Sequence, residues 1–501
     1  MTSPVREIEL KFLLAEADVP AVLAALPGGE TETLLATYYD TGDRQLRRAG
    51  FGLRVRRCGQ TRTQTLKSAA VPDGGRDEWE WPVSADRPDP ALLAGTPVGL
   101  ADDATLEPLF TVEVERLSLR LARGGAEIET ALDRGLISAG GETAQVHELE
   151  LELKSGPPDA LFDLARDLMR TVPLRLSAIS KAERGYRLAD GQARDRPRYE
   201  SPALAPGLSA GQAFQVLGSG CLAHLAANAE SLAAAPGPEG VHQVRVAVRR
   251  LRAALSTFRP VTEDPDWKAV RRRLKWLAGE LDQARNLDVF IADIWRPAAR
   301  AHHELTGMAA FGRALLSAQT RAYDRAVAAI GDQAFRSLLL ETAAWLQLGA
   351  WTTDAVLAPE RERPAEAVAG DALDRRRRKI LKAGKRLADL DRETRHKLRI
   401  QAKILRYAAE DLGGLFPRHP RRAQRFVEAL KAMQDSLGAL NDLAFSEDMA
   451  RDIALAAGSS EAAFAAGQLT GQRTRGAAKL LKTAQAAFDD FAEARAFWRV
   501  I

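Results

Sequence analysis

Four short stretches in the first third of the chain alternate strictly, and the alternation limits what they can become. They are Glu7-Ile8-Glu9-Leu10-Lys11, Gly52-Leu53-Arg54-Val55-Arg56, Gln64-Thr65-Leu66-Lys67 and Glu148-Leu149-Glu150-Leu151-Glu152-Leu153-Lys154. On a β-strand every second side chain points to the same face. Each strand would carry one charged or polar face and one face of Ile, Leu or Val. Two acidic strands beside two basic ones suggest carboxylates for metal ions and cations for something polyanionic.

Candidate strands cover 5–14, 34–40, 50–57, 61–69, 77–83, 109–122, 126–133 and 146–154, with helical interludes near 17–26, 89–94 and 158–171. Asp73-Gly74-Gly75, Gly124-Gly125 and Gly140-Gly141 supply turns between them. Eight antiparallel strands can close into a barrel, which removes exposed edges. Residues 191–207 hold three prolines and read as a linker. From Leu208 onward apolar residues recur at three and four, the pattern of long helices. The expected fold is α+β: an N-terminal eight-stranded antiparallel β tunnel with flanking helices over 1–190, then an all-α bundle of roughly eight to twelve helices over 208–501.

A chain of 501 residues has room for two or more domains. No run of 18 apolar residues appears, so no membrane span is expected. The start, MTSPVREIELKF, has no apolar signal core, and Cys58 and Cys221 lie too far apart for a metal or disulfide spacing. A cytoplasmic protein is expected. Residues 1–190 carry 23 Lys and Arg against 31 Asp and Glu, a net of −8, and the remainder carries +12. A basic C-terminal part suggests a polyanionic partner. Nucleic acid, phospholipid and polyphosphate all qualify on charge, but thin aromatic interleaving disfavours single-stranded nucleic acid.

The helical part repeats itself. His242, Arg245, Arg249 and Arg252 match His396, Arg399, Lys403 and Arg406 at an offset of 154, and Arg285-Asn286 match Asn441-Asp442 at 156. Spacings of 3, 4 and 3 place each set along one helical stripe. A duplicated half-bundle follows, with repeats at about 208–360 and 361–501. Lys and Arg clusters at 271–275, 375–386 and 418–425 add to the basic character.

If the early and late acidic strands are neighbours, Glu7, Glu9, Glu148, Glu150 and Glu152 converge. Like charges this close repel unless cations intervene. Mg²⁺ or Mn²⁺ favours such oxygen ligands and keeps sites for phosphate oxygens. Lys11, Arg54, Arg56, Lys67, Arg116, Arg120, Lys181 and Arg184 provide cations for phosphate. An interior of purely structural ion pairs is the bland alternative, and burying so many charges without a ligand is costly.

The Glu7-x-Glu9-x-Lys11 start resembles the signature of CYTH domains, a triphosphate tunnel metalloenzyme superfamily. The resemblance continues through Tyr38-Tyr39-Asp40-Thr41, Gly52–Arg56, Thr65-Leu66-Lys67, Glu78-Trp79-Glu80, Glu148–Lys154 and Ser180–Tyr186. It implies an eight-stranded tunnel working on triphosphates with a divalent metal, and within the family the chain looks most like inorganic triphosphatases. By this resemblance Glu7, Glu9, Asp133, Glu148, Glu150 and Glu152 would hold metal. Lys11, Arg54, Arg56, Lys67, Arg116, Lys181 and Arg184 would contact phosphates. Glu7, Glu9, Lys11, Glu150 and Glu152 would carry the chemistry. Glu78 and Glu80 would position the site or pair with tunnel cations, and Tyr38 and Tyr39 would pack.

The His–Arg repeats are similar to a CHAD domain, a family named for its histidines and helical fold. This implies two helical sub-bundles and polyphosphate binding through His242, Arg245, Arg249, Arg252, His396, Arg399, Lys403 and Arg406. The departures at Lys403 and Asn441-Asp442 weigh against the two halves binding alike. The expected function is metal-dependent hydrolysis of inorganic tripolyphosphate to pyrophosphate and phosphate, with a tethered module for long-chain polyphosphate. A polyphosphate-granule targeting protein with little turnover is one alternative. A tunnel enzyme for ATP cyclisation or thiamine triphosphate hydrolysis is another.

Overall fold

The computed structural model describes residues 8–68, 77–100, 104–192, 196–301, 306–474 and 477–499, and the side chains of 442–444, 472–474 and 477 lie outside that description. The chain forms two compact units, Met1–Pro197 with Arg336–Leu348, and Arg198–Phe335 with Gly349–Ile501.

The first unit is built on one antiparallel sheet. Its strands are β1 (Ile8–Leu13), β2 (Glu30–Asp40), β3 (Phe51–Cys58), β4 (Thr61–Ser68), β5 (Glu78–Pro82), β6 (Glu107–Arg123), β7 (Ala126–Ala139), β8 (Glu142–Ser155) and β9 (Arg175–Leu176). Their order is β5-β4-β3-β2-β6-β7-β8-β1-β9. The eight predicted strands all have counterparts. The expected closed tunnel of eight strands is corrected: there are nine, and no ladder joins β5 to β9 among the described residues. Both edges are short. β9 has two residues, paired with Phe12 and Leu13, and β5 ends at Pro82, which has no N–H to extend a ladder.

Register decides which side chains share the inner face, because paired residues of neighbouring strands project together. Arg116 lies opposite Asp133, and Asp133 opposite Glu148. Lys11 lies opposite Glu150, and Glu9 opposite Glu152. The same face continues along these strands as Leu34, Ala36, Tyr38, Phe110, Val112, Val114, Ile137, Ala139 and Val146, which form a buried core with Tyr186 and Leu188. The inner face is therefore charged at one end and apolar at the other. The apolar end is filled by the helix Lys181–Ala189, whose Ser180 cap accepts from Glu183 N. Gly185 allows this seat: a Cβ there would lie 2.1 Å from the Phe110 ring. The outer face carries Leu10, Phe12, Leu149 and Leu151, all buried. The helix Asp159–Thr171 packs on the β7–β8 side with Leu161, Phe162, Leu164 and Leu168 inward.

The second unit is helical. Its longer helices are Ala210–Ala234, Pro238–Thr257, Trp267–Phe290, Met308–Gly331, Ala365–Gly384, Arg392–Leu412, Pro420–Ala457, Ser460–Thr474 and Ala477–Glu493. Two backbone bonds link its early and late helices reciprocally. Ala210 N donates to Arg363 O and Ala365 N to Leu208 O, each at 2.8 Å, at an offset of 155 in both donor and acceptor. The residues just after 197 are not a loose tether: Leu204 is buried, and Ser201 Oγ donates to Asp411 at 2.8 Å. No helix among the described residues is long and apolar enough to cross a membrane.

Candidate functional site

The charged end of the inner face gathers most of the predicted residues into one network. Lys181, the first residue of its helix, reaches Glu148 at 2.6 Å and both Glu150 and Asp133 at 2.8 Å. Lys11 reaches Glu150 at 2.8 Å and also bonds Glu9. Arg116 forks onto Asp133 with two bonds of 2.7 Å and onto Glu150 at 2.9 Å. Three cations thus share Glu150, and Asp133 and Glu148 are fully buried. Glu7 lies outside the described residues.

The electrostatics follow from this sharing. Burial opposes the charges of Lys11 and Lys181, but Glu150 and its neighbours outweigh burial and hold both ammonium groups above their ordinary range. Burial likewise opposes the charge on Arg116, and Asp133 and Glu150 overcome it. For Glu150, burial favours the neutral acid, yet Lys11, Lys181 and Arg116 keep it ionised well below the usual carboxylate range. Glu148 is the exception, pushed up chiefly by burial.

One place in the network lacks a partner. Glu148 Oε2 and Arg184 Nη1 are both buried without a hydrogen bond, 3.8 Å apart. A carboxylate oxygen and a guanidinium nitrogen held only as a loose ion pair, close to Glu150 through their shared Lys181, are of the kind that suits a divalent cation carrying an anion. In the structure as it stands, lysine ammonium groups lie among these carboxylates, and no group of three or more candidate ligands is drawn together for a metal among the described residues. The oxygen donors present, Asp133, Glu148 and Glu150, are of the chemical kind that suits Mg²⁺ or Mn²⁺, and here they are taken by Lys11, Lys181 and Arg116.

The other cations lie on the β3–β5 side. Lys67 pairs with Glu78 at 2.7 Å, Arg54 with Glu78 at 4.0 Å and Arg56 with Glu80 at 3.7 Å. Arg54 also reaches the Tyr38 hydroxyl at 3.5 Å, and Tyr38 stacks on Phe110 with ring centroids 4.5 Å apart. Tyr39 is buried on the opposite face. Arg56 is held below the usual guanidinium range, first by Arg54 and then by burial.

Glu152 stands apart from the Lys11–Lys181–Arg116 cluster. It pairs with Lys154 at 2.6 Å, beside Glu129, which takes Arg120 at 3.3 Å. Neither Glu129 nor Lys154 is among the site residues expected from the sequence. Extending the alternation of β7 back from Asp133 reaches Glu129, and Lys154 ends the acidic run itself.

In the helical unit the two motif helices, Pro238–Thr257 and Arg392–Leu412, pack together. Arg250 lies over the Tyr407 ring at 4.8 Å and pairs with Asp411 at 2.6 Å, and Arg406 lies over the same ring at 4.6 Å. Arg249 is crowded by burial, Arg245 and Arg406 and makes no salt bridge among the described residues. Arg252 is exposed and Lys403 half-buried. Arg245 pairs with Asp282, whereas Arg399 lies against Gly438, the residue at offset 156 from Asp282. His242 is half-buried, and His396 is exposed with Nδ1 2.8 Å from Asn441 Oδ1.

Comparison with known proteins agrees with both units. The CYTH domain family matches residues 5–186, and the CHAD domain family matches residues 217–451. An inorganic triphosphatase from Haemophilus influenzae is 34% identical over 197 residues, covering 37% of this chain and 56% of that protein. The chain thus spans little more than half the length of that relative. The crystal structure of the CHAD domain from the plant Ricinus communis aligns with a TM-score of 0.51 and 27% identity, covering 58% of this chain and 96% of that one. The chain carries a CYTH domain over residues 5–186 and, after it, a CHAD domain over residues 217–451.

Proposed function

We propose that the strand unit hydrolyses inorganic tripolyphosphate to pyrophosphate and phosphate with Mg²⁺ or Mn²⁺, and that the helical unit binds long-chain polyphosphate. The observation that carries the first half is the cluster in which Lys11, Arg116 and Lys181 interlock with Asp133, Glu148 and Glu150 on one sheet face. The triphosphatase-type reading is supported by the Haemophilus influenzae relative, which carries the name inorganic triphosphatase.

Glu9, Glu148 and Glu150 would hold the metal with Asp133 beside them, Glu152 would join from its pair with Lys154, and Glu7 would take its sequence-expected role. A divalent ion there would polarise phosphoryl oxygens and neutralise their charge. Lys11, Lys181, Arg116 and Arg184 would turn from carboxylates to the phosphate oxygens. Arg54, Arg56 and Lys67 would take the rest of the phosphate chain, where Arg56 is already crowded by like charge. A carboxylate of the cluster would orient a water for in-line attack on the terminal phosphorus, with pyrophosphate leaving. The cations would stabilise charge on the transferring and leaving oxygens.

The test is phosphate release from tripolyphosphate, ATP and thiamine triphosphate with Mg²⁺ and Mn²⁺, in the unaltered chain and in Glu9→Gln. Metal-dependent release from tripolyphosphate, lost in the variant, is the expected result. Release that ignores the substitution would remove the assignment.

The second half is supported by cations that lack anionic partners. Arg249 and Arg376 make no salt bridge among the described residues, and burial pushes Arg376 down to about 10. Buried guanidinium groups without a counter-charge are costly unless an anion arrives. Tight, salt-sensitive binding of long-chain polyphosphate by the full chain is expected, weakened by Arg249→Ala.

A further inference from the structure

We infer that the first helical repeat alone holds a proton-linked anion site, made by His242, Arg249 and Arg285, where binding an anion adds a proton to His242. This rests on the polyphosphate reading of the helical unit and goes beyond it by separating the two repeats.

The argument starts from the imidazole. Nδ1 of His242 is buried and has no hydrogen-bond partner. The charges that act on it are Arg285, from the helix Trp267–Phe290 packed against its own, and Arg249, Glu239 and Arg245 from its own helix. Glu239 is engaged by Gln243 at 2.6 Å, and Arg245 by Asp282. Arg285 makes no salt bridge among the described residues. It influences Asp288, but that carboxylate is already held by Gln319 and Tyr323, each at 2.8 Å. Burial, then Arg285 and Arg249, keep the free imidazole below its ordinary range, so it is neutral near neutral pH.

A phosphate oxygen placed between His242 and Arg285 would change each of these conditions. It would give Nδ1–H an acceptor, offset the two guanidinium charges and favour the imidazolium. The proton comes from solvent and is returned on release.

The second repeat cannot do the same. At offset 156 Asn441 replaces Arg285, and His396, which is exposed, already has Asn441 Oδ1 at 2.8 Å from its Nδ1. No arginine stands at that position to hold an anion against the ring.

The sign follows from linkage. The bound form has the higher imidazole pKa, so affinity is greatest at low pH, levels off below the free value and falls as pH rises through the bound value. Each unit between the two values is worth a tenfold change in affinity.

The experiment is calorimetric titration of the full chain with polyphosphate long enough for its end groups to be negligible, from about pH 6 to pH 8 where imidazole titrates. Buffers of different ionisation enthalpy read proton uptake directly. Uptake approaching one proton per site is expected, and it should vanish in His242→Gln and in Arg285→Asn but persist in His396→Gln. Tripolyphosphate hydrolysis and thermal melting of the same variants report that they are folded. Uptake that survives His242→Gln, or that is lost equally in His396→Gln, overturns the inference while leaving polyphosphate binding standing. Absence of binding at every pH overturns both.

Discussion

Lys11, Arg116 and Lys181 in the strand unit meet Glu148, Glu150 and Asp133 at 2.6–2.9 Å, whereas Arg249 and Arg376 in the helical unit meet hydroxyls and other arginines. The first arrangement is balanced and holds its charges in place without a ligand. The second is left in positive excess. A balanced cluster suits a ligand that brings both signs, a metal ion with its phosphate. A cationic stripe suits a bare polyanion.

The most severe way to break this contrast is Glu150→Gln. It removes the carboxylate shared by three cations, and tripolyphosphate hydrolysis should fall about 10²–10³-fold, the scale of losing one preorganised electrostatic group. Polyphosphate binding, measured on the same preparation, should stay unchanged. Joint loss would mean that the two units do not act separately.

Gly185→Ala comes next. The added methyl would strike the Phe110 ring and unseat the helix that presents Lys181. Thermal melting should show destabilisation of about 1–3 kcal/mol, typical of overpacking, and hydrolysis should drop through the displaced lysine. An unchanged melt would mean that the helix is free to shift without cost.

Arg249→Ala sharpens the helical side. Neutralising one phosphate contact should lower the dependence of log affinity on log salt by about one, as for other polyanions with condensed counterions. Hydrolysis of tripolyphosphate should be indifferent to it. The smallest effect belongs to Arg120→Ala, since Arg120 is exposed and its partners Glu127 and Glu129 lie at 3.4 and 3.3 Å. Stability should change by less than about 1 kcal/mol, as for other surface pairs.

Much of the fold was legible in the sequence because two simple periods carry it. The period of two in Glu148–Lys154 marks β8 and the partners of Glu9 and Lys11, and the repeat at 154–156 places His242 and His396 on equivalent helices. What escaped depends on distant approach. Alternation tells which residues share a face but not how that face divides along its length. The apolar half, where Tyr38 and Phe110 meet Tyr186, lies on the same side as the carboxylates. β9 is two residues long and has no pattern to read. The separation of Glu152 from Glu150 depends on Lys154 and Glu129, whose meeting needs the β7–β8 register. The difference between Asp282 and Gly438 becomes informative only once both are seen beneath matching arginines.

The claim most exposed to a single measurement is that the charged half of the inner face holds a metal together with its phosphate. Manganese binding followed by electron paramagnetic resonance, with and without tripolyphosphate, addresses it directly. Uptake of Mn²⁺ strengthened by tripolyphosphate and lost in Glu150→Gln is the expected outcome. Equal uptake in the unaltered chain and the variant would contradict it.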